Sequence, residues 1–245
     1  MSLTKIYGIH AVQAALDYSA SKITRAWVDQ QRQDKRLKQL LDDLSSAGIR
    51  SIKTERKKLD KMGEGKNHQG IVVEIEMPVT RSEADLKQDF QALSDMPFYL
   101  VLDQVQDPHN LGACLRTADA AGVHGIIITK DNATSITATV CKVASGAAET
   151  VPVYQVVNLA RTLRWLKQQN VWVAGASGQA QQSVFDADLN IPLALVMGTE
   201  GSGMRPLTEK HCDFLVKIPM KGQVESLNVS VAAGILIYET FRQRT

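Results

Sequence analysis

The feature that most constrains the fold of this chain is a series of short, continuously apolar runs from residue 98 onwards. Runs without polar alternation are typical of strands buried on both faces of a parallel sheet. Four are present, at residues 98–103, 125–129, 171–176 and 193–198. Helical patterns occupy residues 111–121, 136–144 and 159–169 between them. This alternation predicts an α/β domain in which helices cover a parallel sheet.

A smaller set of helices and strands precedes this domain. Helical patterns cover residues 6–16 and 34–47, and short strands are predicted at residues 23–28, 49–52 and 70–76. In the last strand, apolar residues alternate with Glu74 and Glu76, which predicts one solvent-exposed face. Residues 77–97 carry a proline near each end and a charged helical pattern at 83–93. We therefore predict a domain at 1–76, a linker at 77–96 and a domain at 97–245.

Charge is distributed unevenly between these parts. The 245 residues have a net charge of +2, but residues 1–76 carry 14 basic and 10 acidic side chains, against 14 and 16 in residues 77–245. The excess is concentrated in residues 22–66, with 13 basic and 7 acidic side chains. Such a segment is typical either of a solvated face or of a surface that binds a polyanion. Charge alone leaves both alternatives open.

Apolar runs and cysteines indicate neither a membrane nor an oxidising compartment. No run approaches the ~18 apolar residues of a membrane helix, and the N-terminal residues lack the pattern of an export signal. Cys114, Cys141 and Cys212 are far apart and follow no metal-ligand spacing, which is typical of buried thiols in a reducing compartment. We therefore expect a cytoplasmic protein without a metal.

The first candidate site, residues 107–122, follows the first buried strand. Ligands of open α/β sheets bind just beyond the carboxyl ends of strands. Asn110 offers donors and acceptors, and Arg116 offers a rigid fork suited to phosphate. Alternatively, Asn110 caps the helix and Arg116 is a surface charge. A histidine is a common general base, but a turn histidine such as His109, beside Pro108, is more typical of a structural role.

The second candidate site is the glycine-rich loop within residues 193–204, which follows the fourth buried strand. Gly198, Gly201 and Gly203 let the backbone approach a ligand closely. Their spacing differs from the dinucleotide fingerprint, and no Gly-Lys-Ser/Thr follows, so neither a nicotinamide nor an ATP site is predicted. Glu200 is not a residue that a turn requires, which favours a functional carboxylate.

The third candidate site, residues 218–235, leads through a loop into the last predicted helix. Ser226 and Asn228 precede apolar residues at helical spacing. Either residue could cap that helix. Taken by itself, this motif permits a purely structural interpretation.

Together, the three motifs resemble those of the SpoU (TrmH-like) branch of the SPOUT RNA methyltransferases. The similarity covers residues 110–116, 197–204, 218–220 and 226–233, and it extends to residues 7–11 and 68–71, so that it spans nearly the whole chain. It is greatest to members that methylate the ribose of a guanosine in the peptidyl-transferase P loop of large-subunit rRNA.

The resemblance implies a fold, a cofactor and partners. It implies S-adenosylmethionine as methyl donor, bound in a SPOUT domain with a deep trefoil knot, an exception to the usual absence of knots. It also implies a homodimer formed through the catalytic domain. The N-terminal domain is expected to be an L30e-like α/β domain that binds large-subunit rRNA, which accounts for the uneven charge.

The resemblance also implies residue roles. The residues expected to act on the ribose are Asn110, Arg116, Glu200, Ser226 and Asn228. The residues expected to hold the cofactor are Gly198, Thr199, Gly203, Ile218, Met220 and Leu227. The family assigns its matching arginine to activation of the 2′-hydroxyl. Because arginine stays charged, we expect Arg116 to bind an RNA phosphate and stabilise the incipient alkoxide rather than accept a proton.

Two other functions stay open. One is ribose methylation of tRNA, although the N-terminal domain favours a larger rRNA target. The other is a non-catalytic RNA-binding assembly factor, which the intact Asn110, Arg116, Glu200 and Asn228 disfavour. A metal at His211 and Cys212 is not expected, because two adjacent ligands without further partners make a poor site.

Overall fold

The computed structural model describes residues 2–32, 34–63 and 67–245. The chain forms two compact units. The first comprises the described residues up to Val79 together with Thr137–Ser145, and the second comprises Thr80–Ile136 and Gly146–Thr245. None of the helices in the described ranges is long and apolar enough to cross a membrane.

Strands and helices alternate along most of the described chain. The strands are β1 (Ser2–Tyr7), β2 (Ile23–Asp29), β3 (Ser51–Thr54), β4 (Ile71–Met77), β5 (Phe98–Leu102), β6 (Gly125–Thr129), β7 (Val153–Val156), β8 (Trp172–Ala176), β9 (Gln182–Ser183), β10 (Leu193–Met197) and β11 (Phe214–Lys217). The helices are α1 (Ile9–Ser19), α2 (Lys35–Ser46), α3 (Arg56–Met62), α4 (Glu83–Gln91), α5 (Pro108–Ala120), α6 (Ala138–Ala144), α7 (Ala147–Thr150), α8 (Leu159–Gln168), α9 (Pro206–Glu209) and α10 (Val229–Arg244).

The first unit is built on a four-stranded sheet with the order β1-β4-β2-β3. The helix predicted over residues 6–16 begins only at Ile9, because the preceding residues form β1 and pair antiparallel with β4. Ile6 lies opposite Val73 in this pairing. Gly8, with φ at +93°, turns the chain from β1 into α1. The apolar spacing alone did not reveal where the strand ends and the helix begins.

One face of β4 is partly exposed to solvent, as its sequence predicts. Glu76 is exposed and Glu74 is half-buried. Val72, on the same face, is buried with Trp27 and with Leu59 of α3. The short helix α3, which the sequence analysis did not predict, therefore covers part of a face that was expected to be wet.

From Thr80 onwards, the predicted linker segment belongs to the second unit. Its helix α4 begins with a capping box, in which the Ser82 hydroxyl accepts the Asp85 N–H and the Asp85 carboxylate accepts the Ser82 N–H. Leu86 is fully buried in the core of the second unit. The Arg81 N–H donates to the Val153 carbonyl at 2.8 Å. The division at residues 76 and 97 stays a prediction.

The second unit contains a seven-stranded parallel sheet with the order β7-β6-β5-β10-β8-β11-β9. The predicted α/β class, its parallel sheet and its four buried strands are confirmed. Strands β7, β9 and β11 were not predicted, because they are only two to four residues long. Leu102 at the end of β5 lies opposite Met197 at the end of β10. The turn after β5 and the loop after β10 therefore leave the sheet side by side.

Candidate active site

The loop after β10 is folded tightly upon itself. Thr199 and Gly203 each donate an N–H to the other's carbonyl at 3.0 Å, which closes residues 199–203 into a turn. Gly198 lies against the returning backbone: a Cβ there would be 2.0 Å from the carbonyl carbon of Gly203 and 2.1 Å from the nitrogen of Met204. Real Cβ atoms essentially never approach other atoms within 3.0 Å, so this conformation requires glycine.

An open cleft of about 470 Å³ lies beside this loop. Its walls come from the loop, from the end of β8 and the three residues after it, from the end of β11 and the chain after it, and from the start of α10. The lining includes every residue predicted to hold the cofactor: Gly198, Thr199, Gly203, Ile218, Met220 and Leu227. The volume and the mixture of apolar side chains with backbone and hydroxyl groups fit a nucleoside-sized ligand.

Three of the predicted catalytic residues form one hydrogen-bonded cluster. The Nδ2 of Asn228 donates to Oδ1 of Asn110 at 2.9 Å and also to Oε1 of Glu200. The Nδ2 of Asn110 donates to the same Glu200 oxygen at 3.3 Å. The adjacency of β5 and β10 brings Asn110 and Glu200 together, although they are 90 residues apart in sequence.

The start of α10 fixes the orientation of the Asn228 amide. Its Oδ1 accepts the backbone N–H of Ser230 at 2.9 Å and the Ser230 hydroxyl at 2.6 Å. Its Nδ2 therefore faces Asn110 and Glu200. Asn228 caps α10, which was one of the two roles left open for it, and it also belongs to the polar cluster. Ser230 was not predicted, although a hydroxyl two residues after a capping asparagine was a usable signal.

Glu200 joins the loop after β10 to two helices. Its Oε1 accepts N–H groups from the side chains of Asn110 and Asn228, and from the backbone of Val229 at 3.2 Å. Glu200 also lines the cleft, as does Ser226. The carboxylate therefore acts as a fixed acceptor that holds the cluster against the cleft.

The turn after β5 shows which residue caps α5. Asp107, and not Asn110, caps α5, because its Oδ1 accepts the His109 N–H at 2.9 Å and Pro108 occupies the first helical position. Asn110 lies in the first turn of the helix, where its side chain contacts Glu200. The capping interpretation of Asn110 is therefore wrong.

The remaining predicted catalytic residue, Arg116, comes from the second half of α5. It is exposed on α5, six residues after Asn110, which is a rotation of about 120° around the helix axis. Arg116 is not one of the described residues that line the cleft. Among the predicted catalytic residues, Glu200 and Ser226 line the cleft. Asn110 and Asn228 lie beside it through their hydrogen bonds to Glu200, and Arg116 is outside the described lining.

Two further features escaped the sequence analysis. Residues 177–179 line the cleft, and only their position beyond the end of a predicted strand could have indicated them. Asp103 is 1% exposed, and it pairs with Arg205 immediately beyond the glycine-rich loop. A single aspartate and a single arginine, distant in sequence, follow no recognisable spacing.

The thiols and histidines offer no metal centre. Within residues 2–32, 34–63 and 67–245, no group of three or more His, Cys, Asp or Glu side chains is arranged to hold a metal ion. Burial raises the pKa of the Cys114 and Cys212 thiols to about 12. Both thiols are therefore protonated at neutral pH.

Comparison with known proteins adds to this geometry. The family model described as SpoU rRNA Methylase family matches residues 97–238, and the one described as RNA 2′-O ribose methyltransferase substrate binding matches residues 5–80. The 23S rRNA (guanosine-2′-O-)-methyltransferase RlmB of Shewanella oneidensis is 52% identical over 239 residues, which cover 98% of this chain and 97% of that protein. The protein of the same name from Escherichia coli K12 is 49% identical over 98% of both chains.

A solved structure shares the fold. The SpoU methyltransferase AviRb from Streptomyces viridochromogenes, in complex with AdoMet, superimposes with a TM-score of 0.64 at 24% identity, over 99% of this chain and 90% of that one. This similarity concerns the fold alone, and the sequence matches decide the family. The chain belongs to the SpoU rRNA methylase family.

Proposed function

We propose that this chain transfers the methyl group of S-adenosylmethionine to the ribose 2′-hydroxyl of a guanosine in 23S rRNA. The observation that carries this proposal is identity of 52% and 49% to proteins named for that activity, over nearly the whole of both chains. The cleft between the second and third motifs, with Asn110 of the first motif hydrogen-bonded beside it, supports the proposal. We propose more narrowly that the target lies in the peptidyl-transferase P loop.

The residues around the cleft fit S-adenosylmethionine. Gly198, Thr199 and Gly203 offer backbone groups at close approach, and Ile218, Met220 and Leu227 offer apolar and backbone contacts. When bound, the cofactor supplies a methyl group on a positively charged sulfur. We propose that these loops form the deep trefoil knot that the family resemblance implies.

The polar cluster is proposed to position the ribose. Methyl transfer requires the ribose oxygen, the methyl carbon and the sulfur in line, so alignment accounts for much of the rate. Asn110, Asn228 and the Ser226 hydroxyl lie where they can orient a ribose beside the cleft. Glu200 already accepts three N–H groups. We therefore assign Glu200 to orientation and not to proton removal.

Arg116 is proposed as an electrostatic clamp. Its exposed position on α5 suits contact with an RNA phosphate, and its permanent charge suits stabilisation of an incipient alkoxide. Arg116→Ala should slow methyl transfer about 100-fold, the scale found when one transition-state donor is removed, without changing cofactor affinity. Arg164→Ala, also exposed but on α8, should keep the parental rate. A parental rate in Arg116→Ala would refute the assignment.

The N-terminal domain, residues 1–76, is proposed to be L30e-like and to bind the rRNA, with residues 77–96 as linker and 97–245 as the methyltransferase domain. The substrate-binding family match over residues 5–80 supports this division. Helix α3 presents four basic side chains in seven residues: Arg56, Lys57, Lys58 and Lys61. Such a helix attracts the phosphate backbone of RNA.

We further propose a cytoplasmic homodimer formed through the catalytic domain. Helix α10 exposes Val231, Tyr238 and Phe241, whose side chains are 52%, 49% and 40% accessible. An exposed apolar surface of this kind is typical of an interface. Light scattering after size-exclusion chromatography should give the mass of a dimer, and Tyr238→Glu should give the mass of a monomer. A parental mass that already equals one chain would contradict the dimer.

Two measurements test the activity. Isothermal titration with S-adenosylmethionine should give binding, whereas a non-catalytic RNA-binding factor should give no heat. Ribose methylation should then be mapped across total RNA from cells with and without this protein. Loss of one guanosine mark in 23S rRNA supports the proposal. Loss of a tRNA mark, or of none, would refute it.

A further inference from the structure

Asp103 follows β5 directly and contacts both ends of the loop after β10. Its backbone N–H donates to the carbonyl of Met197, the last residue of β10, at 2.8 Å. Its Oδ2 accepts the backbone N–H of Arg205 at 3.1 Å. Its Oδ1 accepts Nε of Arg205 at 2.8 Å and lies 2.7 Å from Nη2. One residue therefore fixes both the point where the loop leaves the sheet and the point where it returns.

The two charges of this pair have unequal surroundings. The side chain of Asp103 is 0% exposed, whereas that of Arg205 is 44% exposed. A buried carboxylate is costly unless hydrogen bonds satisfy it, and Arg205 supplies both backbone and side-chain donors. Since a buried ion pair is weak evidence of stability, the presence of this pair beside the loop calls for a functional explanation.

The composition of the loop provides that explanation. Residues 198–204 include three glycines, and glycine loses more conformational freedom on ordering than any other residue. If the loop were free at its C-terminal end, a ligand would have to order it on binding. Fixing both ends beforehand removes that cost from the binding step.

We propose that Asp103 and Arg205 are positioning residues that keep the glycine-rich loop in its binding-competent conformation. This inference rests on the proposed function, because it takes the cleft to be the S-adenosylmethionine site. Neither residue is among the described residues that line the cleft, so both act through the loop. Their loss should raise the KM for the cofactor and leave kcat close to the parental value.

Asp213 provides a matched control in the same unit. Its Oδ2 accepts the N–H of Val173 at 2.9 Å, and its Oδ1 lies 2.6 Å from Nζ of Lys167. It therefore has the same kinds of partner as Asp103, a backbone N–H and a cation. It precedes β11 and lies at the amino ends of the parallel strands, at the opposite edge of the sheet from the loop.

Isothermal titration of the full-length proteins with S-adenosylmethionine alone tests the inference. For Asp103→Asn we expect Kd to rise about tenfold, equivalent to about 1.4 kcal/mol. Arg205→Lys keeps the charge but loses the planar fork, so its Kd should rise less. Asp213→Asn should lower Tm about as much as Asp103→Asn and leave Kd unchanged. Steady-state assays of Asp103→Asn and Arg205→Lys should then show a raised KM for the cofactor.

Each possible result of these titrations either supports or overturns the role proposed for Asp103 and Arg205. A parental Kd in both Asp103→Asn and Arg205→Lys would overturn the inference and leave the proposed function intact. An equal loss of affinity in Asp213→Asn would also overturn it, because the effect would then be general instability. If Asp103→Asn does not fold, Arg205→Lys is measured alone, and a parental Kd in that variant would overturn the inference. A parent protein that binds no S-adenosylmethionine would instead refute the proposed function itself.

Discussion

Replacing Gly198 by alanine is the most direct perturbation of the candidate site. The added Cβ would lie 2.0, 2.1 and 2.2 Å from three backbone atoms of Gly203 and Met204, whereas ordinary contacts begin at 3.4 Å. Backbone atoms cannot rotate away as a side chain can, so the loop itself must move, and overpacking of this kind costs about 1–3 kcal/mol. If that cost falls on the binding-competent conformation of the loop, S-adenosylmethionine affinity should fall by roughly five- to 150-fold.

The assay is isothermal titration with the cofactor, accompanied by thermal denaturation. Gly198→Ala should unfold in one cooperative transition with stability lowered by about 1–3 kcal/mol, the range for overpacked sites. Gly222→Ala is the control, since its Cβ would have no atom within 4 Å, and it should bind like the parent. An affinity within threefold of the parent in Gly198→Ala would refute the argument that the tight turn shapes the cofactor site.

Other predictions concern single interactions. In Ser230→Ala, the Asn228 amide loses one of the donors that orient it. The rate of methyl transfer should therefore fall three- to tenfold, the scale of one hydrogen bond, while Kd for the cofactor stays unchanged. Single-turnover kinetics would measure this rate. Replacing Lys57 and Lys61 by glutamine should weaken binding to a 23S rRNA fragment. The slope of log affinity against log salt concentration should become shallower by about one per lost phosphate contact. Fluorescence anisotropy at several salt concentrations would measure both effects. Burial lowers the pKa of His124 below 6.5, and its Nδ1 accepts a backbone N–H. The stability from the neutral ring should therefore be complete above pH 6.5 and decline as the pH falls below it. The fall in Tm between pH 7 and pH 5 should be smaller in His124→Asn.

Those parts of the fold that depend on hydrophobic pattern could be predicted from the sequence. Strands β5, β6 and β10 are buried throughout, and β8 is buried over its three central residues. Continuous apolar runs indicate that burial directly. Strand β1 was not predicted, and its last two residues were assigned to a helix, because its pairing with β4 depends on a partner about 70 residues away that leaves no local trace. The short strand β7 is interrupted by Gln155, which weakened its signal.

Some residues of the candidate site could likewise be predicted from the sequence, and others could not. Asn110, Glu200 and Asn228 were proposed from motifs that the family resemblance joined, since each motif alone permitted a structural role. Asn228 has both roles, because one amide group caps α10 through its oxygen and contacts Glu200 through its nitrogen. The pair Asp103 and Arg205 could not be predicted, because an ion pair between distant residues leaves no periodic pattern in the sequence.

The position of the cleft follows from strand order as much as from the motifs. From β5 the chain builds outward through β6 and β7 on one side of the sheet, and it then places β8 on the other side. Strand β10 enters later, between β5 and β8. The side of the sheet on which successive strands are added thus changes between β5 and β10, and ligands of open α/β sheets bind at such a switch point. A loop that leaves β10 there has the turn after β5 as its neighbour, which is why Glu200 can reach Asn110 directly and why Asp103 can hold the same loop at both ends.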